Sequence, residues 1–166
     1  KGGIAYVLQT TYGLNLPKEM HLYFSRLIKD YSDRMKTELQ NNQVYDIFMS
    51  ELVNLSKPLF IDKMLFTQTN GIQAELSYTY RGESKTIFGN GNGRLDAVSN
   101  ALKDALGMEY KLQTYTEHAL ADGSGASAVS YVQLCSGERV EWGVGIHSDI
   151  MTSSTYCWMM LTIAGR

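Results

Sequence analysis

IFGNGNGRLD, residues 87–96, is the stretch that decides the fold, because a predicted strand ends at its glycines and a predicted helix begins after them. The helix is indicated by apolar residues that recur from Leu95 to Leu106 at steps of three and four. A second stretch, WGVGIHSDI at residues 142–150, has the same order of a strand, spaced glycines, an aspartate and an amphipathic helix. The repetition predicts one structural unit that occurs twice in the chain.

Three strands are predicted before each of these helices. Asn70-Gly71 is a strong hairpin signal, and residues 72–80 alternate between apolar and polar side chains, as in a strand with one wet face. The predicted strands are 59–69, 72–80 and 84–88 in the first unit and 109–117, 126–135 and 139–146 in the second, and the predicted helices are about 95–106 and 149–164. The unit is therefore βββα, twice.

The first 57 residues have a different character. Apolar side chains recur on one helical face from Pro17 to Met35, and a shorter helix is predicted from about Val44 to just before Pro58. Residues 4–12 fit either a helix or a strand. We therefore predict an α+β fold in which a helical linker segment, 1–57, precedes a duplicated βββα domain, 58–166, with repeats at about 58–107 and 108–166 and with the helices packed on the sheet faces.

The composition is that of a globular protein, with 44% hydrophobic and 19% charged residues and no apolar run long enough to span a bilayer. A formal net charge of -2, without a stripe of Lys and Arg, gives no electrostatic footprint for nucleic acid. Cys135 and Cys157 lack the spacing of metal ligands and are predicted to be reduced thiols. Reduced thiols favour a cytoplasmic protein, and the charge and the lack of a long apolar run predict no nucleic-acid or membrane partner.

The glycines at 89, 91 and 93 allow two interpretations. They fit an ordinary tight turn, or a backbone that a ligand approaches closely and whose free N–H groups bind an anion. A dinucleotide site is disfavoured, because the spacing is G-x-G-x-G and not G-x-G-x-x-G. Asp96 and Asp149 are expected to stabilise helix N-termini. His118 and His147 lack partners at metal-binding or catalytic spacing, and we expect them to be structural.

Small residues flank a Gly/Ser loop between Ala119 and Ala128. An ordinary loose hairpin explains this composition. Alternatively, the alanines line a small apolar pocket together with Leu95, Leu112 and Tyr115, and the glycine stretch supplies N–H groups for an anionic head group.

Several separated motifs in order resemble the C-terminal regulatory (LeuA dimerisation) domain of 2-isopropylmalate synthase. The first motifs are KGGIA at 1–5 and YGLNLP at 12–17, which look like the linker after the catalytic barrel. The others, which look like the regulatory domain itself, are GNG at 91–93, YTEHA at 115–119, GASA at 125–128 and WGVGI at 142–146. The resemblance covers nearly the whole chain.

The resemblance implies a parent enzyme that condenses acetyl-CoA with 3-methyl-2-oxobutanoate, the committed step of leucine biosynthesis. Its catalytic barrel, which uses a divalent metal, would lie upstream of Lys1. We therefore expect this chain to be a fragment without cofactor, catalytic residues or synthase activity of its own. Its expected partners are L-leucine, which inhibits by feedback, a second copy in a homodimer, and the barrel of the parent chain.

By the same resemblance, the predicted leucine site comprises Gly91, Asn92, Gly93, Leu95, Leu112, Tyr115, Ala119, Ala126 and Ala128. Tyr12 would match a linker tyrosine that transmits inhibition. The family commonly has proline after Gly-Asn-Gly, whereas this chain has Arg94, so the loop is expected to be less rigid. Arginine offers a carboxylate two hydrogen bonds, which proline cannot do.

Two alternatives remain at the level of sequence. The domain is a structural dimerisation module that binds no effector, or it is the isoleucine-sensing regulatory domain of a citramalate synthase, which shares the architecture. In either case the predicted fold is the same.

Overall fold

The computed structural model describes residues 2–53, 59–106, 111–120 and 127–147. These residues form an α+β structure with a helical segment followed by two antiparallel sheets, as predicted. The helices are α1 (Gly2–Tyr12), a 3-10 turn (Lys18–Met20), α2 (His21–Met35), α3 (Asn41–Leu52) and α4 (Arg94–Leu106). The strands are β1 (Leu59–Gln68), β2 (Ile72–Tyr80), β3 (Glu83–Gly91), β4 (Lys111–Leu120), β5 (Ser127–Ser136) and β6 (Arg139–His147).

The duplication predicted from the sequence is visible in the sheets. The strand orders β1-β2-β3 and β4-β5-β6 are the same, and every neighbouring pair is antiparallel. The first strand of each sheet carries a bulge near its start, between Ile61 and Lys63 and between Leu112 and Thr114. A bulge inserts one residue and increases local twist, so the two units share this irregularity as well as their order. The predicted second helix, at about 149–164, lies outside the described residues.

The helical segment resolves the choice left open for residues 4–12, which form α1. The chain after Pro17 enters α2 through the 3-10 turn, and a left-handed Lys36 ends that helix. Helix α3 is confirmed, but the prediction that it ends just before Pro58 was wrong: it ends at Leu52, because Val53 is extended and forms a bridge with Val144 of β6. Within the described ranges, no helix is both long and apolar enough to cross a membrane.

One core joins the helical segment to the second sheet, and we call it the helical cluster. Side chains of β5 and β6, including Tyr131 and Trp142, pack with the apolar faces of the helices. Phe24 and Phe48 meet edge to face, with ring centroids 5.4 Å apart. The buried members of the helical cluster are Leu8, Leu14, Leu16, Met20, Phe24, Ile28, Val44, Ile47, Phe48, Leu52, Val53, Val129, Tyr131, Trp142 and Val144. The domain boundary predicted near residue 57 stays a prediction.

A second core, the α4 cluster, lies between the two sheets. Helix α4 packs on β2 and β3, and β5 contributes side chains from the face opposite to Tyr131. The buried members of the α4 cluster are Ala74, Leu76, Tyr78, Ala97, Val98, Leu102, Val132 and Leu134. Strand β5 is thus buried on both faces, which explains its nearly continuous apolar sequence.

Candidate effector site

Strand β3 continues through the glycines to Gly91, and so the prediction that it ends at Phe88 was wrong. The reason is the close packing of α4. A Cβ at Gly89 would stand 2.5 Å from the backbone nitrogen of Ala101, and a Cβ at Gly91 would stand 2.5 Å from that of Ala97. Neither distance is compatible with a side chain, so these two glycines let the helix backbone lie directly on the strand.

Gly93 has no comparable structural reason to be glycine. A Cβ built there meets no atom within 4 Å, and its φ lies outside the left-handed region. Its carbonyl oxygen accepts the first hydrogen bond of α4, from Ala97 N–H at 3.0 Å, which makes Gly93 the N-cap. The N–H groups of the first helical turn have no acceptor within the helix. The open space at Gly93 therefore adjoins a helix N-terminus.

Asp96 stabilises this corner, as predicted. Its carboxylate oxygen Oδ2 accepts a hydrogen bond of 2.9 Å from the backbone N–H of Asn92. The negative charge also lies in the first turn of α4, where the helix dipole favours it. Asn100 adds a bond of 2.7 Å from its side-chain nitrogen to the Asn90 carbonyl. The backbone from Asn90 to Asn92 is therefore held at two points.

Arg94 is exposed and its guanidinium carbon lies 5.1 Å from the centre of the Phe66 ring. This cation–π contact joins Arg94, the first residue of α4, to Phe66 of strand β1. A cation at this place adds positive charge to the N-terminal end of the helix.

Four of the predicted leucine-site residues lie on one face of the second sheet. The register pairs Leu112 with Leu134, Tyr115 with Val132 and Ala119 with Ala128. Directly paired residues share a face of an antiparallel sheet. The bulge after Leu112 places that residue on the same face as Tyr115, despite the odd spacing between them.

This face borders the α4 cluster. Val132 and Leu134 are buried in it, and both Leu95 of α4 and Tyr115 of β4 pack against it from outside. The structure therefore brings the first unit and the second unit to one apolar cluster through Leu95 and Tyr115. Ala128 is buried, whereas Ala119 is exposed and Leu112 is 39% exposed. Ala126 lies outside the described residues.

Tyr12 belongs to another part of the molecule, at the end of α1. Its ring stacks on that of Tyr45 in α3, with centroids 3.9 Å apart and planes at 10°. Both rings pack against the helical cluster. Tyr12 is thus placed to hold helices α1 and α3 of the linker segment together.

His118 is structural in a way that the sequence did not indicate. Its Nε2 lies 2.9 Å from the Tyr131 hydroxyl oxygen and 3.2 Å from the backbone nitrogen of Asn15. Tyr131 is buried, and burial raises the pKa of its hydroxyl well above the ordinary tyrosine value. Among the described residues, no three His, Cys, Asp or Glu side chains are grouped so that they could hold a metal.

Residues 38–161 match the family described as the LeuA allosteric (dimerisation) domain. Over 93% of its length the chain is 43% identical to a 2-isopropylmalate synthase of Desulfitobacterium hafniense, and it covers 28% of that protein. It is 41% identical to the enzyme of the same name from Helicobacter hepaticus and 34% identical to that of Corynebacterium efficiens, and it covers 30% and 27% of them, respectively. The chain thus spans less than a third of each of these relatives.

Proposed function

The chain belongs to the family of the LeuA allosteric (dimerisation) domain, and on that premise we propose that it is the leucine-binding regulatory segment of a 2-isopropylmalate synthase. The relatives that it matches carry that name. In the proposed protein, acetyl-CoA condenses with 3-methyl-2-oxobutanoate on a metal-dependent barrel in the remainder of the parent chain. The role of this segment is to bind the end product of the pathway and to reduce that activity.

The apolar side chain of leucine would lie on the face that borders the α4 cluster. Leu95 and Tyr115 supply apolar surface at this cluster, and the small side chains of Ala119 and Ala128 form a pair on the same face of the second sheet. Complete burial of such a side chain stabilises a complex by about 1.5–3 kcal/mol. Isoleucine contains the same apolar atoms, so the shape of this face must distinguish the two isomers.

The carboxylate of leucine would lie at the N-terminus of α4. The first-turn N–H groups and the helix dipole favour an anion there, and the guanidinium of Arg94 lies at the same end of the helix. The observation that carries the proposal is Gly93. Neither crowding nor backbone conformation requires glycine at this position, so the N–H groups of this helix end are open to a ligand.

Calorimetric titration of this chain with leucine, isoleucine, valine and acetyl-CoA tests the proposal. Saturable heat with leucine, and weaker binding of isoleucine and valine, is the expected result. A preference for isoleucine would instead identify the regulatory domain of a citramalate synthase. If no amino acid binds, the effector proposal fails and only a dimerisation module remains.

Homodimer formation is the second proposed function, and the outer face of the first sheet supports it. The residues of β2 that point away from α4 are polar. Their neighbours on this face include two large apolar side chains, since Leu65 of β1 and Phe88 of β3 are paired with Glu75 from either side. These two side chains are 48% and 54% exposed, and Phe60 on the same face is 57% exposed. These three side chains share the face with the ion pair between Lys63 and Glu75. Exposed apolar side chains with polar residues around them are typical of an interface, and the family description favours a second copy as its occupant.

Light scattering on the purified chain tests this interface. We expect a dimer that Phe88→Lys dissociates, because the lysine would place a charge in the buried surface. Leu22→Lys is the matched control, since Leu22 is 58% exposed and lies on α2, whose buried residues belong to the helical cluster. If both variants dissociate the dimer equally, or if neither dissociates it, the interface lies elsewhere.

A further inference from the structure

His118 joins two parts of the chain that are 103 residues apart in sequence. It lies near the end of β4, whereas Asn15 lies in the loop between α1 and the 3-10 turn. Three polar groups meet at the imidazole: the Asn15 N–H, the Tyr131 hydroxyl, and the Ala119 carbonyl oxygen, which lies 3.0 Å from Nδ1. The ring also stacks beside that of Tyr131, with centroids 5.5 Å apart.

The hydrogen bonds define the protonation of the ring. A backbone N–H can only donate, so Nε2 must accept the bond from Asn15 and carries no hydrogen. The hydrogen is then on Nδ1, which donates to the Ala119 carbonyl. The Tyr131 hydroxyl lies 2.9 Å from the same nitrogen and stays protonated because it is buried, so it shares the single lone pair of Nε2 with the Asn15 N–H. The neutral ring thus satisfies all its hydrogen-bonding atoms.

The two faces of β4 serve different neighbours. Tyr115 and Ala119 are on the face that borders the α4 cluster, where the leucine side chain is proposed to lie. His118 pairs with Val129, whose side chain is buried in the helical cluster on the opposite face. Successive side chains of a strand point to opposite faces. A movement of β4 at Ala119 therefore displaces His118 and with it the loop that contains Asn15.

The loop has little freedom to absorb such a movement. Gly13 begins it with a left-handed φ of 70°, and a Cβ built on Gly13 would lie 3.6 Å from a methyl carbon of Leu120, the neighbour of Ala119 on β4. Leu14 and Leu16, on either side of Asn15, are buried in the helical cluster. Asn15 is thus hydrogen-bonded to His118 of β4, and the residues on both sides of it are anchored in the helical cluster.

We propose that His118 is the positioning residue that couples the leucine site to the helical segment. This inference rests on the proposed function, because it assigns the path by which a ligand on one face of β4 acts on the other face. Binding that shifts β4 moves the acceptor Nε2, and the Asn15 N–H and the end of α1 follow it. Coupling of this kind requires only that leucine binds one of the two arrangements more tightly.

The test compares variants in the full-length enzyme that carries this segment. His118→Leu removes the acceptor, and His118→Gln restores it, because the side-chain oxygen of glutamine reaches the place of Nε2. Asn15→Ala is the matched control, since Asn15 contributes only its backbone N–H. For each variant the dissociation constant of leucine is measured by calorimetry, and the leucine concentration for half-inhibition is measured by synthase activity.

We expect His118→Leu to bind leucine nearly as well as the parent, while the concentration for half-inhibition rises by about tenfold or more, which is within the usual range of coupling between sites. His118→Gln and Asn15→Ala should keep both values. The inference is wrong if the leucine concentration for half-inhibition of His118→Leu stays close to that of the parent. It is also wrong if this concentration rises in His118→Gln as much as in His118→Leu.

Hydrogen exchange at the Asn15 amide separates this inference from the proposed function. Without leucine, exchange at Asn15 should be faster in His118→Leu and unchanged in His118→Gln. If the parent enzyme binds no leucine, the proposed function and the coupling both fail, whatever the exchange rates. Unchanged exchange in His118→Leu would overturn the positioning role even if leucine binds.

Discussion

Gly89 of β3 and Ala97 of α4 pack backbone against backbone, in contact so close that no Cβ fits at Gly89. The helix can lie this near to the strand only because both Gly89 and Gly91 lack side chains. The contact fixes the distance between α4 and the first sheet and the direction of the helix axis. The same packing positions the N-terminal end of the helix, where Leu95 packs against the cluster that includes Val132 and Leu134 of the second sheet.

The first prediction concerns these glycines. Gly89→Ala should lower the free energy of unfolding by about 1–3 kcal/mol, because the methyl group forces the helix away from the strand. Gly93→Ala should cost less than about 1 kcal/mol, since its Cβ meets open space and alanine is only a poorer N-cap. Urea unfolding followed by circular dichroism gives both values. Equal losses would refute the distinction between a packing glycine and an open one.

The second prediction concerns the support of the glycine corner by Asp96. Asp96→Ala should lower the free energy of unfolding by about 0.5–2 kcal/mol, because the Asn92 N–H loses its acceptor and the helix loses a favourable charge. Asp96→Asn keeps an acceptor oxygen and should lose less. Thermal unfolding of the two variants at one pH provides the comparison. If asparagine is as harmful as alanine, the hydrogen bond is not what Asp96 contributes.

The third prediction is a loss of stability in alkali through Tyr131. Burial raises the pKa of its hydroxyl in the folded state above the ordinary value of about 10. The folded state therefore holds this proton more tightly than the unfolded state. The resulting stability is complete below about pH 10 and is lost as the pH rises toward the folded pKa, by about 1.4 kcal/mol per pH unit for one group.

Urea unfolding at a series of alkaline pH values measures this loss. In Tyr131→Phe the dependence on pH should be shallower, although the variant is less stable at neutral pH because His118 loses a hydrogen-bond donor. Part of the slope should remain, since burial, and then the charges of Glu141 and Glu51, also raise the pKa of Tyr23. An identical slope in Tyr131→Phe would show that the Tyr131 hydroxyl ionises equally in both states.

The fourth prediction assigns the carboxylate of leucine to Arg94. Arg94→Gln should weaken leucine binding by about tenfold, because a charge-assisted hydrogen bond of about 1.5 kcal/mol is lost. Leucinol, which has no carboxylate, should bind the parent and Arg94→Gln equally. Calorimetry with both compounds provides the measurement. Equal weakening for leucine and leucinol would mean that Arg94 acts through Phe66 and the shape of the corner, and not on the carboxylate.

Much of the fold was predictable because its signals are local. The alternation of residues 72–80, the Asn70-Gly71 turn and the helical spacing after Arg94 each depend on neighbours in sequence. The end of β3 was misplaced because its glycines were interpreted as a turn. Their role depends on Ala97 and Ala101, which approach them only in the folded chain.

The candidate site was predictable only in part, and for the same reason. The resemblance named residues of both units, and the structure places Leu95 and Tyr115 beside one apolar cluster. The bond between His118 and Asn15 spans 103 residues, and nothing in the neighbourhood of either residue indicates it. The predicted strand ended at residue 117, before His118, whereas β4 continues to Leu120, and the identity of the partners of His118 required the packing of the helical segment.

The central claim is that leucine binds at the open space beside Gly93, and Gly93→Asp tests it most directly. Aspartate is a favourable N-cap, so the fold should be kept, while its carboxylate fills the space and repels that of leucine. Gly3→Asp adds the same charge at another glycine with open space, on α1. In calorimetry we predict saturable leucine binding by the parent and by Gly3→Asp and none by Gly93→Asp. Leucine binding by Gly93→Asp with the affinity of the parent would contradict the account.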